Sequence, residues 1–339
     1  MQATARELGQ RHLDNLGAAL FGGLPLSHAT DGSEYSLTGQ RRASTRSRSP
    51  PSLWFTEVMG RSNAIHLEPT FSLRRLAGAI NPRSRVPIGG KRILITGASS
   101  GIGRVAAMRF AEAGAEVVLV ARRENELEEL RDDIVAAGGR AEYRACDIAD
   151  TADVDKLVQW VIDTFDGIDV LINNAARSIR RPLVDSFDRF HDFERTMSVN
   201  YFGAVRLTMG LLPAMLDRKT GHIINVGTWT VAIDTAPRFA AYHSSKVALA
   251  GFGRCIEAEL GNRGIYVTAI HYPLVSTPMS APTGDFDRLA KLTPEEAATW
   301  LVRAVETRPT EMVPRYAALM RMMGYVAPRA LDNFLRNRT

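Results

Sequence analysis

Tyr242 and Lys246 stand four residues apart in the stretch TWTVAIDTAPRFAAYHSSK, which runs from Thr228 to Lys246. A phenol and an ammonium one turn apart share a helix face, and together they can deliver a proton to an oxygen on which charge develops. A phenol titrating near 10 is a poor base at pH 7, and lowering it by ~3 units needs ~4 kcal/mol of preference for phenolate. One ammonium at ~4 Å supplies about that at an effective dielectric near 20, so the spacing predicts that Lys246 draws the Tyr242 pKa down. Two upstream hydroxyls, Thr228 and Thr230, could donate to the same oxygen. Taken alone, Tyr-x-x-x-Lys is an everyday pair on helices, and other parts of the chain must supply the reason to read chemistry into it.

One such part is TGASSGIG, Thr96–Gly103. It follows an apolar β-branched run and opens a segment with helical spacing. Glycines at 97, 101 and 103 remove side chains where backbone would approach a pyrophosphate, and the helix beyond offers free N–H groups at its positive end. Ser99, Ser100 and Ile102 complete the loop. At the end of the next apolar run the chain reads VVLVARRE, so Arg122 and Arg123 occupy the turn where an acid would bind the ribose diol of NAD. Arginine there accommodates the extra phosphate of NADP, which is therefore expected rather than NAD.

These residues need a scaffold, and the chain reads as one. From Lys91 the runs KRILITG, AEVVLVA, AEYRACDI, IDVLINNA, GHIINVG and IYVTAIHY alternate with helix-length segments such as RVAAMRFAEAG, ADVDKLVQWVIDTF, FERTMSVNYFGAVRLTMGLLPAML and YHSSKVALAGFGRCIEAEL. Nearly continuous apolar strands separated by helices predict an α/β fold, a doubly wound parallel sheet covered on both faces. Thr293, Pro294 and Glu296 read as a capping box opening a late helix. The tail YAALMRMMGYVAPRALDNFL is apolar at helical spacing, with core packing as its default explanation and an apolar channel or membrane-surface contact as the sharper one.

Residues 1–90 carry 11 Lys and Arg against 6 Asp and Glu, and the other 249 residues carry 31 of each. The positive charge therefore belongs to the extension, which weakens any nucleic-acid reading of the rest. Within it, QRRASTRSRSPPS (40–52) reads as disordered linker, and FSLRRLAGAI (71–80) as a short helix stopped by Asn81-Pro82. The two cysteines, Cys146 and Cys255, form no disulfide framework, and no secretory or membrane-spanning segment is read, so a cytoplasmic setting is expected. No metal is expected.

The chain from 90 to about 280 resembles the short-chain dehydrogenase/reductase family. TGASSGIG looks like its cofactor loop, Asp147 and Ile148 in CDI stand at its adenine contact, and NNAA (Asn173–Ala176, with Asn174 and Ala175) resembles its NNAG strand end. Asn200 in MSVNYFG matches the asparagine of its catalytic tetrad, and Tyr242 with Lys246 matches YxxxK. HYPLVSTPM resembles PGxVxT and places Pro273, Val275 and Thr277 at the nicotinamide end, with Leu274 where glycine is usual. In the family a serine pair follows the fifth strand. Here that pair reads Gly227-Thr228, with the spacing to the tyrosine one residue longer than usual, so Thr228 is the candidate donor and Thr230 its fallback. ARSIRRPLVDSFDRFHDFERTMSVNYFGAVRL and PLVSTPMSAPT resemble a bacterial group of fatty-acyl-CoA reductase-like and long-chain ketone reductases.

The resemblance implies a seven-stranded Rossmann domain over 90–339, with a substrate lid and C-terminal helices from about 278, behind a mostly irregular basic extension over 1–89. It implies an NADP-dependent oxidoreductase acting on an apolar or long-chain ketone, aldehyde or acyl derivative, with Asn200, Thr228, Tyr242 and Lys246 as its catalytic residues; Tyr242 and Lys246 count among the cofactor-binding residues as well, the lysine holding the nicotinamide ribose hydroxyls. It also implies a dimer or tetramer, and it leaves peripheral membrane contact open. The competing expectation is a cofactor-binding relative with weak or no turnover, serving as sensor or partner subunit.

Overall fold

The parallel strands are β-branched runs whose alternate residues face opposite sides, so each strand feeds two cores. In β2 (Arg92–Thr96) Ile93 and Ile95 enter one core and Leu94 the other. The computed structural model describes residues 69–71, 85–281 and 290–336. All belong to the compact unit Pro51–Thr339. The linker at 40–52 and the remainder of the helix expected over 71–80 lie outside the described residues, as does the middle of the expected lid.

After β2 come α1 (Gly101–Glu112), β3 (Glu116–Ala121), α2 (Glu124–Ala136), β4 (Arg140–Ala145), α3 (Thr151–Phe165) and β5 (Val170–Asn173). Then follow α4 (Phe190–Met197), α5 (Ala204–Asp217), β6 (Gly221–Thr228), α6 (Ala240–Leu260), β7 (Ile265–Tyr272), α7 (Pro294–Thr307), β8 (Glu311–Pro314), α8 (Arg315–Val326) and α9 (Pro328–Arg336). Helices α1, α2 and α7 pack on one face of the sheet and α3, α5 and α6 on the other. Helix α7 opens on the expected capping box: Thr293 accepts from the Glu296 amide at 3.2 Å, and the Glu296 carboxylate accepts from the Thr293 amide at 2.8 Å.

With β1 the short strand Pro69–Phe71, the strand order is β1-β8-β7-β6-β5-β2-β3-β4. The seven strands from β2 to β8 run parallel. An eighth, β1 (Pro69–Phe71), lies antiparallel along β8 and covers what would otherwise be an open sheet edge. The order reverses beside β2: the chain goes outward through β3 and β4, then returns to β5 on its other side. In such sheets the ligand crevice opens at that reversal, beyond the carboxyl ends of the strands.

Candidate active site

The reversal brings TGASSGIG against NNAA. Thr96, at the end of β2, accepts from the amides of Asn174 and Ala175, both at 3.0 Å, and donates to the Ile172 carbonyl. The Asn174 side chain donates to the Thr96 carbonyl at 2.9 Å. Gly97 has φ of +69°, and a Cβ there would lie 2.9 Å from Ala175 Cα. A side chain at Gly103 would collide with the Gly97 carbonyl, so the loop folds back on itself only with glycine there. Next to Gly101 lies Thr277, within 3.3 Å of where a Cβ would stand. Ser99, Ser100 and Ile102 thus border a tight loop that also touches the segment after β7.

The first turn of α1 has no acid, and its cap residue Ser100 makes no capping hydrogen bond, so the amides there are open to an anion. Arg122 and Arg123 sit at the end of β3. Arg123 reaches the Ser99 hydroxyl at 2.9 Å and pairs with Glu126, whereas Arg122 is exposed and has no hydrogen bond or ion pair among the described residues. Asp147 accepts from the Ala149 amide at 3.0 Å beyond β4. The Ile148 carbonyl packs directly on Gly203, where any side chain would collide with it. After β7, Val275 bridges to Leu292, and Ser280 ties Val275 to Thr277, which fixes the segment beginning at Pro273. A dinucleotide fits this arrangement: a glycine cradle, an open helix end and cationic arms at the strand tip.

The helix expected over 193–216 carries a π turn at Ser198–Gly203, with Asn200 inside it. Such turns are frequent at functional sites. The Asn200 side chain is 1% exposed and fully engaged. It accepts from the Arg177 amide at 2.7 Å, and it donates to the Arg177 carbonyl and to the Ser245 hydroxyl, both at 2.9 Å. Ser245 in turn donates to the Tyr242 carbonyl at 2.7 Å. This clamp locks the first turn of α6 and so aims Tyr242. One turn on, Lys246 is buried and donates to the Val226 carbonyl at 2.8 Å, two residues before Thr228.

No hydrogen bond reaches the Tyr242 hydroxyl among the described residues. Its pKa does not move as the spacing predicted. Burial pushes it up to about 12, and burial likewise pushes Lys246 down to about 8. Desolvation of each charged form governs the pair, and the ammonium is committed to the Val226 carbonyl. At pH 7 the tyrosine therefore holds its proton while the lysine holds its charge.

Thr228 ends β6, and the chain then enters a 3-10 turn, Trp229–Ile233. The Thr230 hydroxyl donates to Thr228 Oγ1 at 3.4 Å and meets His243 Nδ1 at 3.2 Å. Thr230 is thus occupied as a neighbour of Thr228, which keeps its own hydroxyl proton free to donate. His243 and Ser245 had no sequence signal beyond lying inside YHSSK. Each joins the site through a hydroxyl contact that only the fold creates.

Residues 91–287 match the family model of short chain dehydrogenases. A fatty acyl-CoA reductase of Mycobacterium tuberculosis is 45% identical over 85% of this chain and 97% of its own length. A fatty acyl-CoA reductase of Acinetobacter baylyi is 49% identical over 72% and 82%. The crystal structure of L-sorbose reductase from Gluconobacter frateurii, complexed with NADPH and L-sorbose, superposes with a TM-score of 0.60 at 30% identity, over 66% of this chain and 94% of that one. The crevice, the clamp on α6 and these likenesses agree: the chain belongs to the short-chain dehydrogenase/reductase family and is an NAD(P)-dependent oxidoreductase.

Proposed function

We propose that this enzyme uses NADPH to reduce the carbonyl group of a long apolar substrate, with Tyr242 as proton donor. The observation that carries the reading is a Tyr242 hydroxyl left unengaged one turn from a buried, carbonyl-anchored Lys246, on a helix held by Asn200 and Ser245. When bound, NADPH supplies the hydride that attacks the carbonyl carbon. Tyr242 gives its proton to the carbonyl oxygen as charge grows there, and Thr228 donates a hydrogen bond to the same oxygen. Lys246 keeps a positive charge beside the phenol, which eases its transient loss of the proton. From a thioester the same addition gives a hemithioacetal, which breaks to aldehyde and free thiol.

Arg122 and Arg123 support NADP over NAD, since no carboxylate stands at the tip of β3 to receive a ribose diol. In this reading Gly97, Ser99, Ser100, Gly101, Ile102 and Gly103 hold the pyrophosphate, Asp147 and Ile148 the adenine, and Asn174 and Ala175 the adjoining ribose. Pro273, Val275 and Thr277 hold the nicotinamide end.

The apolar substrate is supported by the names of the two reductase relatives and by Trp229, which meets Tyr316 of α8 edge-on at 5.3 Å beside the catalytic turn. Helix α8 buries Tyr316, Ala317 and Met320 yet exposes Leu319, Met322 and Val326 on its opposite stripe. That stripe, with the exposed Arg329 and Arg336 of the following helix α9, supports peripheral contact with anionic lipid. Exposed Phe202, Met209 and Val247 support a dimer or tetramer formed through the α5 and α6 region. A role as cofactor-binding subunit without turnover is not favoured, because Asn200, Tyr242 and Lys246 are all in place.

The test follows NADPH absorbance with aldehydes, ketones and acyl-CoA thioesters of increasing chain length. The expected result is a kcat/KM that climbs with chain length and drops when NADH replaces NADPH. Turnover of short polar ketones alone would overturn the substrate class.

A further inference from the structure

Gly227 stands at the first position of the serine pair in the family pattern that the sequence resembles, and nothing in its backbone demands glycine. Its φ is not among the positive values, which fall on other glycines. What demands glycine is space. In the β6–β7 register Gly227 lies opposite His271, and a Cβ at 227 would stand 2.7 Å from His271 Nδ1 and 3.3 Å from Cε1. Glycine and imidazole are one fitted pair across two strands.

The imidazole is held from behind. His271 is buried, and its Nε2 lies 3.2 Å from Glu311 Oε1 on β8. Its Nδ1 has no hydrogen-bond partner among the described residues, because it faces the glycine backbone. Glu311 is also gripped by Arg321 of α8, whose Nη1 and Nη2 reach its two oxygens at 3.1 and 2.6 Å. The third guanidinium nitrogen, Nε, donates to the Ala232 carbonyl at 2.8 Å. A planar fork that binds a carboxylate with one edge and a carbonyl with its remaining nitrogen is a geometry lysine cannot reproduce.

The two ends of this network meet the two ends of one turn. His271 packs on Gly227, immediately before Thr228, and Arg321 holds Ala232, near the close of the 3-10 turn that Thr228 opens. We propose that His271, Glu311 and Arg321 are positioning residues that set the Thr228 hydroxyl, and that through them helix α8 becomes part of the catalytic site. None of the three needs to touch the substrate. The inference rests on Thr228 being the donor to the carbonyl oxygen, and its test separates the two ideas.

The test is a double-mutant cycle with decanal and NADPH under single-turnover conditions, with NADPH binding measured alongside to show that each variant folds. Arg321→Met and Glu311→Gln should each slow reduction at least tenfold while NADPH affinity stays within twofold. In a Thr228→Val background the Arg321→Met change should cost almost nothing further, since a misplaced hydroxyl matters only while the hydroxyl exists. Gly227→Ala should be crippled, and adding His271→Ala should restore it to the level of His271→Ala alone. If Arg321→Met does not fold, Arg321→Lys keeps the charge without the fork and carries the same expectation. Full activity in Arg321→Lys and Glu311→Gln would overturn the proposal, as would Arg321→Met and Thr228→Val penalties that simply multiply. A healthy Thr228→Val would instead remove the donor reading on which the proposal stands, and would overturn it by that separate route.

Discussion

The two ends of the crevice, one proposed to hold the cofactor and the other proposed to carry the catalysis, are built in different ways. At the cofactor end, an unbroken run of eight residues makes the loop, and backbone does most of the work: Gly97 against Ala175, Gly103 against the Gly97 carbonyl, and amides at the start of α1. At the catalytic end, the turn after Thr228 is held by side chains from distant parts of the chain, namely His243 on α6, His271 on β7, Glu311 on β8 and Arg321 on α8. A backbone cradle tolerates many neighbours but few changes within itself. A side-chain scaffold can be retuned from far away, which suits the end that must recognise a particular substrate.

The sharpest way to test that division is to remove the hydroxyl proposed to give the proton. Tyr242→Phe should lower the rate of carbonyl reduction by ~10²–10⁴, the usual worth of a positioned general acid. NADPH binding, set at the other end, should stay nearly unchanged in a fluorescence titration. A variant within tenfold of the parent enzyme would show that another group delivers the proton.

Next in size is the threonine. Thr228→Val removes the donor at nearly constant volume and should cost ~10²–10³ in rate with little change in stability. Thr230→Val should cost clearly less, because Thr230 contacts Thr228 and His243 and supports the donor from outside. Single-turnover rates of the two variants compare them directly. If Thr230→Val proves the weaker enzyme, the extra residue in the spacing to Tyr242 has shifted the donor to position 230.

At the cofactor end the matching experiment is a pair of arginine changes. Arg122→Ala should weaken NADPH binding roughly tenfold, as a charge-assisted phosphate contact does, and leave NADH unaffected. Arg123→Ala should weaken both cofactors, since Arg123 also holds the Ser99 hydroxyl of the loop. Equal losses for the two cofactors in Arg122→Ala would remove Arg122 as a reader of the 2′-phosphate.

How far each end could be read beforehand follows from the same contrast. The loop Thr96–Gly103 was legible because its chemistry is contiguous and its glycines are dictated locally. Strand β7 was legible residue for residue, from Ile265 to Tyr272, because it is one β-branched run. Strands β8 and β1, of four and three residues, are too short to show a period, and both contain proline. The π turn around Asn200 hid inside a segment that reads as unbroken helix. His271 lies inside the run IYVTAIHY and carries no signal of its own there. Its meaning lies in Gly227, 44 positions away, and only the strand register brings the two together. Reading Tyr242 and Lys246 as a charge pair gave the wrong direction for the phenol's pKa, because spacing carries no information about burial.

The smallest expected effect is also the one that best separates the two ends. The cations at the cofactor end are Arg122 and Arg123. The cation at the catalytic end is Lys246, which burial has pushed from 10.5 down to about 8. Lowering a lysine's pKa favours its neutral form, so below pH 8 it is an ammonium and above pH 8 it loses its charge. If the ammonium eases proton release from Tyr242, the single-turnover reduction rate should fall to about half near pH 8 and keep falling above it. NADPH affinity should remain flat across the same range. Tyr242, pushed up to about 12, stays protonated throughout and contributes no second limb there. Lys246→Arg should be slower, because a guanidinium does not fit a site shaped for one nitrogen at the Val226 carbonyl, but its profile should lose the decline near pH 8. A parent enzyme whose rate is level from pH 7 to pH 10 would show that the charge on Lys246 plays no part in the proton transfer. A cofactor affinity that falls together with the rate would show that the two ends are not separately built.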